Sequence, residues 1–137
     1  MVGTDIIEVA RIEKLIKDKG DKFLNKIYTQ NEIDYCESKG PNKYQHYAGR
    51  FAAKEAVYKA VADLMLNYYL KLNNIEIFND TNHGTGKPYT RVSFINSRGE
   101  DIYGNVQANI SISHIDKYAL AVCTIQKKNP NKPLHRN

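Results

Sequence analysis

The spacing of apolar positions changes near the middle of the chain. Up to about residue 70, apolar residues recur at intervals of three and four, which is typical of amphipathic helices. After Asn73-Asn74 they alternate with polar residues, which is typical of half-buried strands. Helices first and antiparallel strands later predict an α+β fold.

The first two predicted helices are recognisable by their ends. One runs from about Ile7 to Asp18, ends at Gly20, and turns outward a basic face formed by Arg11, Lys14 and Lys17. The other begins at Thr29 with Glu32, a capping-box pattern, and runs to Gly40-Pro41.

The third predicted helix runs from Arg50 to about Tyr69 and combines an apolar stripe with two charges. Glu55 and Lys59 project opposite the stripe, four residues apart, so one reading is a solvated ion pair. The stripe itself is small and apolar: Ala53, Ala56, Val57, Ala60, Val61 and Leu64.

Strands dominate the rest of the chain. A short apolar strand precedes the first helix, and Asp5 follows Gly3 at that junction, where it is also a candidate helix N-cap. The predicted carboxyl-terminal strands are Ile75–Phe78, Tyr89–Ile95, Ile102–Val106, Asn109–Ser113 and Tyr118–Ile125, separated by turns rich in Asn and Gly.

Length and composition narrow the class of protein. The 137 residues predict one domain over 1–126 and a polar tail over 127–137. No apolar run approaches the roughly 20 residues that span a bilayer, and the amino terminus does not resemble a signal peptide. The two cysteines match no metal spacing, so we expect reduced thiols in a cytoplasmic protein without a membrane partner.

The net charge of +5 favours an anionic partner. Nucleic acid, a phosphorylated ligand and an acidic protein all qualify, so a small basic nucleic-acid-binding α+β domain is an alternative reading. The ten tyrosines are scattered and form no stacking platform, and such a domain has no use for Asp5 and Glu55.

Five motifs occur in one order across residues 3 to about 125. They are Gly3-Thr4-Asp5-Ile6 with Arg11-Ile12, Tyr28-Thr29-Gln30-Asn31-Glu32, Ala48-Gly49-Arg50-Phe51-Ala52-Ala53-Lys54-Glu55-Ala56 with Lys59-Ala60, Gly86-Lys87-Pro88, and Ser111-Ile112-Ser113-His114. Together they resemble the holo-acyl-carrier-protein synthase family of 4′-phosphopantetheinyl transferases. The third motif and the order of the set are specific, whereas each other piece is weak alone.

The resemblance implies a reaction and a metal. Such enzymes move the 4′-phosphopantetheine arm of coenzyme A to a serine of apo-acyl carrier protein, release 3′,5′-ADP, and serve fatty acid biosynthesis. By resemblance Asp5 and Glu55 are the Mg²⁺ ligands, and Lys59 stabilises charge beside them. The proton acceptor stays open between Glu55 acting through a water, Asp5 and a metal-bound hydroxide. A catalytically dead relative is disfavoured because all three residues are present.

The resemblance also implies binding surfaces. Coenzyme contacts are expected from Arg50, Lys54, Lys59, Lys87 and His114, with His114 supplied by an adjacent protomer of a homotrimer. Gly84-Thr85-Gly86-Lys87 is equally well read as a hairpin turn. Acyl carrier proteins are strongly acidic, so Arg11 and Lys14 are expected to dock them, although for Lys14 an ordinary solvated face is an equal alternative.

One departure from the family pattern follows the third motif. Members commonly carry a Gly-Thr-Gly stretch there, whereas Val61–Tyr69 of this chain contains no glycine. We therefore expect a longer helix, and the coenzyme contacts that relatives make at that stretch are not carried over.

Overall fold

A computed structural model describes residues 1–62, 70–80 and 89–128. The predicted α+β class is confirmed. Two short 3₁₀ helices, Gly40–Asn42 and Leu72–Asn74, accompany the main elements. Those elements are β1 (Val2–Glu8), α1 (Val9–Lys19), α2 (Asp21–Ile27), α3 (Gln30–Glu37), α4 (Lys43–Val61), β2 (Ile75–Asp80), β3 (Tyr89–Phe94), β4 (Val106–His114) and β5 (Tyr118–Lys127).

The strands form two antiparallel sheets. The larger has the order β1-β5-β4, so the first strand of the chain pairs with the last, and the smaller consists of β2 and β3. In the larger sheet Asp5 lies opposite Ala121, and Ala121 lies opposite Ile112. Directly opposed residues share a face, and this face packs on α4 because Ala119, Ala121 and Cys123 are fully buried beneath the helix.

The small residues of α4 let the sheet approach it closely. Ala53, Ala56 and Val57 are fully buried, as the apolar stripe predicts. The approach is tightest at Gly3, where a Cβ atom would lie 1.9 Å from the carbonyl oxygen of Ala56. Only glycine fits there, and this contact fixes β1 on α4 two residues before Asp5.

Several predicted boundaries are wrong. The first helix begins at Val9 rather than Ile7 because β1 is seven residues long and continues to Glu8. The long helix begins at Lys43, seven residues before Arg50, and its predicted extension to Tyr69 lies outside the described residues after Ala62.

The predicted strand from Ile102 to Val106 is wrong, because only its last residue, Val106, lies in a strand, as the first residue of β4. Asp101 makes an isolated bridge to Ile95 and accepts a hydrogen bond from the backbone N–H of Tyr103 at 2.9 Å, which turns the chain before β4 begins. The tail over 129–137 is outside the described residues.

The capping box is confirmed. The Thr29 side chain accepts from the backbone N–H of Glu32, and the Glu32 carboxylate accepts from that of Thr29 at 2.8 Å. Cys36 and Cys123 are buried free thiols. In the described part of the chain, no helix has the length and apolar character needed to cross a bilayer.

Candidate active site

Asp5, Glu55 and Lys59 meet where β1 crosses α4. The Lys59 Nζ donates hydrogen bonds to Asp5 Oδ1 at 3.1 Å and to the Thr4 carbonyl at 2.9 Å. The N-cap reading of Asp5 is wrong because Asp5 lies within β1, three residues before Glu8 at the start of α1. Lys59 pairs with Asp5 rather than with Glu55, so the reading of Glu55 and Lys59 as a surface ion pair is also wrong.

The environment of Glu55 is unfavourable to a lone negative charge. Partial burial raises the pKa of its carboxyl group, and repulsion from Asp5 raises it further, while the Lys59 ammonium partly opposes both effects. A cation placed beside Glu55 and Asp5 would offset both the partial burial of the Glu55 charge and its repulsion from Asp5. The site therefore has an electrostatic reason to bind one.

The donor set fits Mg²⁺. This ion prefers carboxylate oxygens, keeps several waters, and is usually held by one or two carboxylates together with substrate phosphates. Asp5 and Glu55 are two carboxylates of this kind. No cluster of three or more His, Cys, Asp and Glu side chains able to hold a metal occurs within 1–62, 70–80 and 89–128.

Two clefts meet at Glu55. The first cleft, of about 410 Å³, is lined with charged and aromatic side chains, among them Asp5, Glu8, Arg11, Phe51 and Tyr118. The second cleft, of about 450 Å³, lies between α2, α4 and the 3₁₀ helix Leu72–Asn74. Glu55 lines both, so a ligand bound to it has two separate routes to solvent.

The structure corrects the prediction that Lys54 contacts the coenzyme. Its side chain has 0% exposure and forms an ion pair of 2.5 Å with Glu32, which is equally buried. Its Nζ also donates to the carbonyls of Leu72 at 3.0 Å and Ile75 at 2.5 Å. With every donor used inside the protein, Lys54 holds the fold together rather than contacting a coenzyme.

Glu32 is the partner that the sequence reasoning missed. One oxygen caps α3, and the other accepts from the backbone N–H of Ile77 at 2.8 Å. Burial raises the pKa of the Glu32 carboxyl and lowers that of the Lys54 ammonium, and each charge opposes the shift of the other. The capping-box spacing and the Tyr28–Glu32 motif marked Glu32 in the sequence, but neither signal points to a buried partner 22 residues away.

Arg50 and His114 lie in a separate basic corner. Arg50 is 5% exposed, stacks over the Tyr35 ring at 4.0 Å, and its Nε has no hydrogen-bond partner among the described residues. The His114 Nδ1 lies 3.0 Å from Gln45 Oε1, and the His114 ring lies 4.9 Å from that of His46. Burial and neighbouring positive charges lower the pKa of His46 to about 4.

The structure does not bring His114 to the carboxylate pair. The contacts of its ring are with the first turns of α4, and none of them is with Asp5, Glu55 or Lys59. Lys87 lies outside the described residues, so both readings of its segment stay predictions.

Two of the three basic side chains on the outer face of α1 lie beside carboxylates. Lys14 forms an ion pair with Asp18 at 2.6 Å, and Lys17 lies 3.7 Å from Glu13, so part of the positive charge is neutralised locally. Arg11 is exposed and lines the first cleft beside Asp5. Of the two predicted docking residues, only Arg11 adjoins the carboxylate pair.

Comparisons with known proteins agree on one family. A family model described as "4′-phosphopantetheinyl transferase superfamily" matches residues 1–123. The chain is similar to the holo-[acyl-carrier-protein] synthase of Ruminiclostridium cellulolyticum, with 45% identity over 91% of this chain and 90% of the relative. It is also similar to that of Fusobacterium nucleatum, with 43% identity over 90% and 96%.

Solved structures show the same fold. The Helicobacter pylori holo-[acyl-carrier-protein] synthase in complex with coenzyme A superposes with a TM-score of 0.70 at 31% identity, over 92% of this chain and 100% of that one. The Bacillus anthracis enzyme in complex with CoA (3′,5′-ADP) gives 0.64 at 34% identity, over 93% and 96%.

Proposed function

Because the chain belongs to the 4′-phosphopantetheinyl transferase superfamily, we propose that it is a Mg²⁺-dependent holo-acyl-carrier-protein synthase serving fatty acid biosynthesis. It takes coenzyme A and apo-acyl carrier protein as substrates and releases 3′,5′-ADP. The observation that carries this proposal is the meeting of Asp5, Glu55 and Lys59 at the junction of two clefts. The buried free thiols support a cytoplasmic setting.

The reaction exchanges a phosphoanhydride bond of coenzyme A for a phosphodiester bond to the carrier protein. The serine oxygen of the carrier protein forms a bond to the phosphorus that bears the pantetheine arm, and the pyrophosphate P–O bond breaks. The bonding electrons leave with 3′,5′-ADP, and the serine proton passes to a base. Mg²⁺ held by Asp5 and Glu55 would neutralise the phosphate charge that otherwise repels the nucleophile.

Residues of the chain itself would orient the reacting groups and neutralise their negative charge. The Lys59 ammonium is anchored by the Thr4 carbonyl and Asp5, so its positive charge would lie beside phosphates bound at the two carboxylates. Asp5 and Glu55 are both candidates to accept the serine proton. Partial burial raises the pKa of the Glu55 carboxyl, which favours proton acceptance by Glu55.

We further propose a homotrimer, assembled through the sheet face that α4 leaves bare. That face exposes a patch of apolar side chains: Val2, Ile6, Tyr118, Leu120 and Val122, with Val2 64% and Ile6 63% exposed. Contiguous exposed apolar surface of this kind marks an interaction site. The number of copies follows from the family resemblance, and a second copy of the chain would bring His114 to a neighbour's cleft.

The decisive experiment is mass spectrometry of apo-acyl carrier protein incubated with this protein, coenzyme A and Mg²⁺. We expect a mass increase equal to phosphopantetheine, together with stoichiometric 3′,5′-ADP, and no increase when EDTA replaces Mg²⁺. An unmodified carrier protein at saturating substrate would refute the proposed activity.

The shared site has its own test, the refolding of a mixture of Asp5→Ala and His114→Ala chains. If His114→Ala alone is severely impaired, random cyclic assembly restores about one site in three in the roughly three quarters of rings that are mixed, which is about a quarter of wild-type activity. A mixture no more active than its two parts would place the whole site within one chain.

A further inference from the structure

The tip of the β4–β5 hairpin is held against α4 by one side-chain amide. Gln45, in the first turn of α4, lies beside His114, the last residue of β4, and beside Asp116 in the turn that follows. The Gln45 Nε2 donates to Asp116 Oδ1 at 2.9 Å, and the Gln45 Oε1 lies 3.0 Å from the His114 Nδ1. A single amide therefore binds two side chains of the same hairpin.

This arrangement determines which nitrogen of His114 carries the proton when the ring is neutral. A carboxylate only accepts hydrogen bonds, so the NH₂ group of Gln45 must face Asp116 and its carbonyl oxygen must face His114. That carbonyl oxygen also only accepts, so the His114 Nδ1 must be the donor. The neutral ring is then the Nδ1–H tautomer, and its Nε2 bears a free lone pair.

The surface of α4 also confines the orientation of the His114 ring. The ring of His46 meets it edge to face at 4.9 Å between centroids. A Cβ atom at position 49 would lie 3.7 Å from the His114 Cδ2, so Gly49 lets the ring lie directly on the helix. Burial and neighbouring positive charges lower the pKa of His46 to about 4, so its ring is uncharged at neutral pH and packs as an aromatic side chain.

The second nitrogen of His114 is available to a ligand. Within 1–62, 70–80 and 89–128, no hydrogen bond is made to its Nε2, and the side chain is partly exposed. In functional histidines the hydrogen bond made by one ring nitrogen sets whether the other nitrogen is protonated. The bond from Nδ1 to Gln45 has this effect on Nε2.

We propose that Gln45, held in place by Asp116, is a positioning residue that keeps His114 in the Nδ1–H tautomer. His114 then presents Nε2 as a hydrogen-bond acceptor to an N–H or O–H group of the coenzyme A bound in a neighbouring protomer's cleft. Without the amide, the neutral ring also populates the Nε2–H tautomer, which presents a donor in place of the acceptor. The identity of the ligand rests on the proposed function, whereas the tautomer follows from contacts within the chain.

The tautomer is measured by nitrogen-15 NMR of the full-length protein labelled at histidine, at pH 8, where an ordinary histidine is neutral. A ring nitrogen that carries a proton resonates far from one that carries a lone pair, and the His114→Ala protein identifies the signals of His114. In the wild-type protein we expect Nδ1 to be protonated and Nε2 to be bare. In Gln45→Leu, whose side chain neither donates nor accepts, we expect a mixture of the two tautomers.

Kinetics then connect the tautomer to the ligand. Loss of one hydrogen bond that orients the ring should raise the KM for coenzyme A of Gln45→Leu about fivefold, with kcat within about twofold of wild type. Gln45→Glu is the conservative variant, because it keeps an oxygen acceptor for Nδ1 while placing a second carboxylate beside Asp116. A positioning role predicts that Gln45→Glu retains the protonated Nδ1 and a KM nearer to wild type, whereas a merely structural role predicts that it is the worse of the two.

Asp116→Asn tests the second half of the network at an exposed position. An asparagine amide can donate as well as accept, so the Gln45 amide is free to turn over. If the two tautomers become equally populated, half of the sites are competent and the KM for coenzyme A rises about twofold. Asp34→Asn is the matched control, because Asp34 accepts from Gln30 Nε2 at 2.8 Å in another exposed Gln–Asp pair, and it should change neither the spectrum nor the KM.

Three results would overturn the proposal. They are an Nε2–H tautomer in the wild-type protein, an Nδ1–H tautomer that persists in both Gln45→Leu and Asp116→Asn, and a change of tautomer that leaves the KM for coenzyme A unaltered. If Gln45→Leu fails to fold by circular dichroism, Asp116→Asn decides alone. Failure of the wild-type protein to modify carrier protein would instead overturn the proposed function, which the mass spectrometric assay measures separately from the spectra.

Discussion

Two lysines of α4, five residues apart, form ion pairs of opposite character. Lys54 and Glu32 have 0% side-chain exposure, whereas Lys59 is 53% and Asp5 17% exposed. In the buried pair Lys54 Nζ donates to the Leu72 and Ile75 carbonyls, and the Glu32 carboxylate accepts from backbone N–H groups. In the partly exposed pair of Lys59 and Asp5, the Asp5 carboxylate is accessible from the first cleft.

The difference shows that exposure to solvent determines whether an ion pair fixes the fold or stays available to a ligand. A buried pair cannot lose one partner without leaving an uncompensated charge, so it fixes geometry. A solvated pair contributes little to stability, so its partners remain available to a ligand. Four predictions test the two pairs and the residues around them, in order of decreasing expected effect.

The largest effect is expected from breaking the buried pair. Lys54→Met leaves the Glu32 charge without its partner, and we expect a loss of about 3–5 kcal/mol in the free energy of unfolding, measured by urea titration. The exposed Lys14→Met serves as the matched control and should change stability by less than about 1 kcal/mol. Similar small losses in both would contradict the structural role of Lys54.

Next in size is the loss of turnover when the carboxylate pair is altered. Asp5→Asn and Glu55→Gln each remove a hard oxygen ligand without changing volume, and we expect kcat to fall about 100-fold or more. The folded state should remain intact by circular dichroism. Near-wild-type rates of both variants at limiting Mg²⁺ would show that the metal lies elsewhere.

A smaller effect is expected at the docking surface. Arg11→Glu should raise the KM for carrier protein about tenfold, leave that for coenzyme A unchanged, and weaken the salt dependence. Lys14→Glu is the control, because Lys14 is already paired with Asp18, and its effect should be much smaller. Equal effects of the two variants would mean that net charge rather than Arg11 steers the partner.

The smallest effect is expected on the free energy of unfolding when Glu55 is made neutral. The pKa of Glu55 is raised in the folded protein, so its ionisation opposes folding at neutral pH. Glu55→Gln should therefore be slightly more stable than wild type at pH 7, and the difference should vanish as pH falls below the ordinary value of 4.5. Thermal unfolding across pH 4 to 7 measures this, and a destabilised variant at pH 7 contradicts it.

Local signals predicted the ends of β2, β3 and β5 within two residues, but they missed α2 and began the long helix seven residues late. The Thr29 capping box and the alanine stripe of α4 depend on residues three or four apart, so the sequence specified them directly. The segment Ile102–Val106 has strand-like residues, but the Asp101 carboxylate captures the Tyr103 N–H and turns the chain.

The candidate site also has a part that the sequence predicted and a part that it did not. Asp5, Glu55 and Lys59 were predicted, because motif and spacing marked them, and the structure brings all three together. The place of Lys54 was not predictable from its position beside Glu55. Its role depends on Glu32, Leu72 and Ile75, which lie 18 to 22 residues away along the chain.

The sequence by itself determined the α+β class, the Thr29 capping box and the choice of candidate site residues, since each follows from local periodicity or motif. Only the tertiary structure decided which lysine is buried, that β1 pairs with β5, and that Glu55 lies between two clefts. The physical reason is that desolvation and strand pairing depend on which distant segments pack together, and no local pattern encodes that partner.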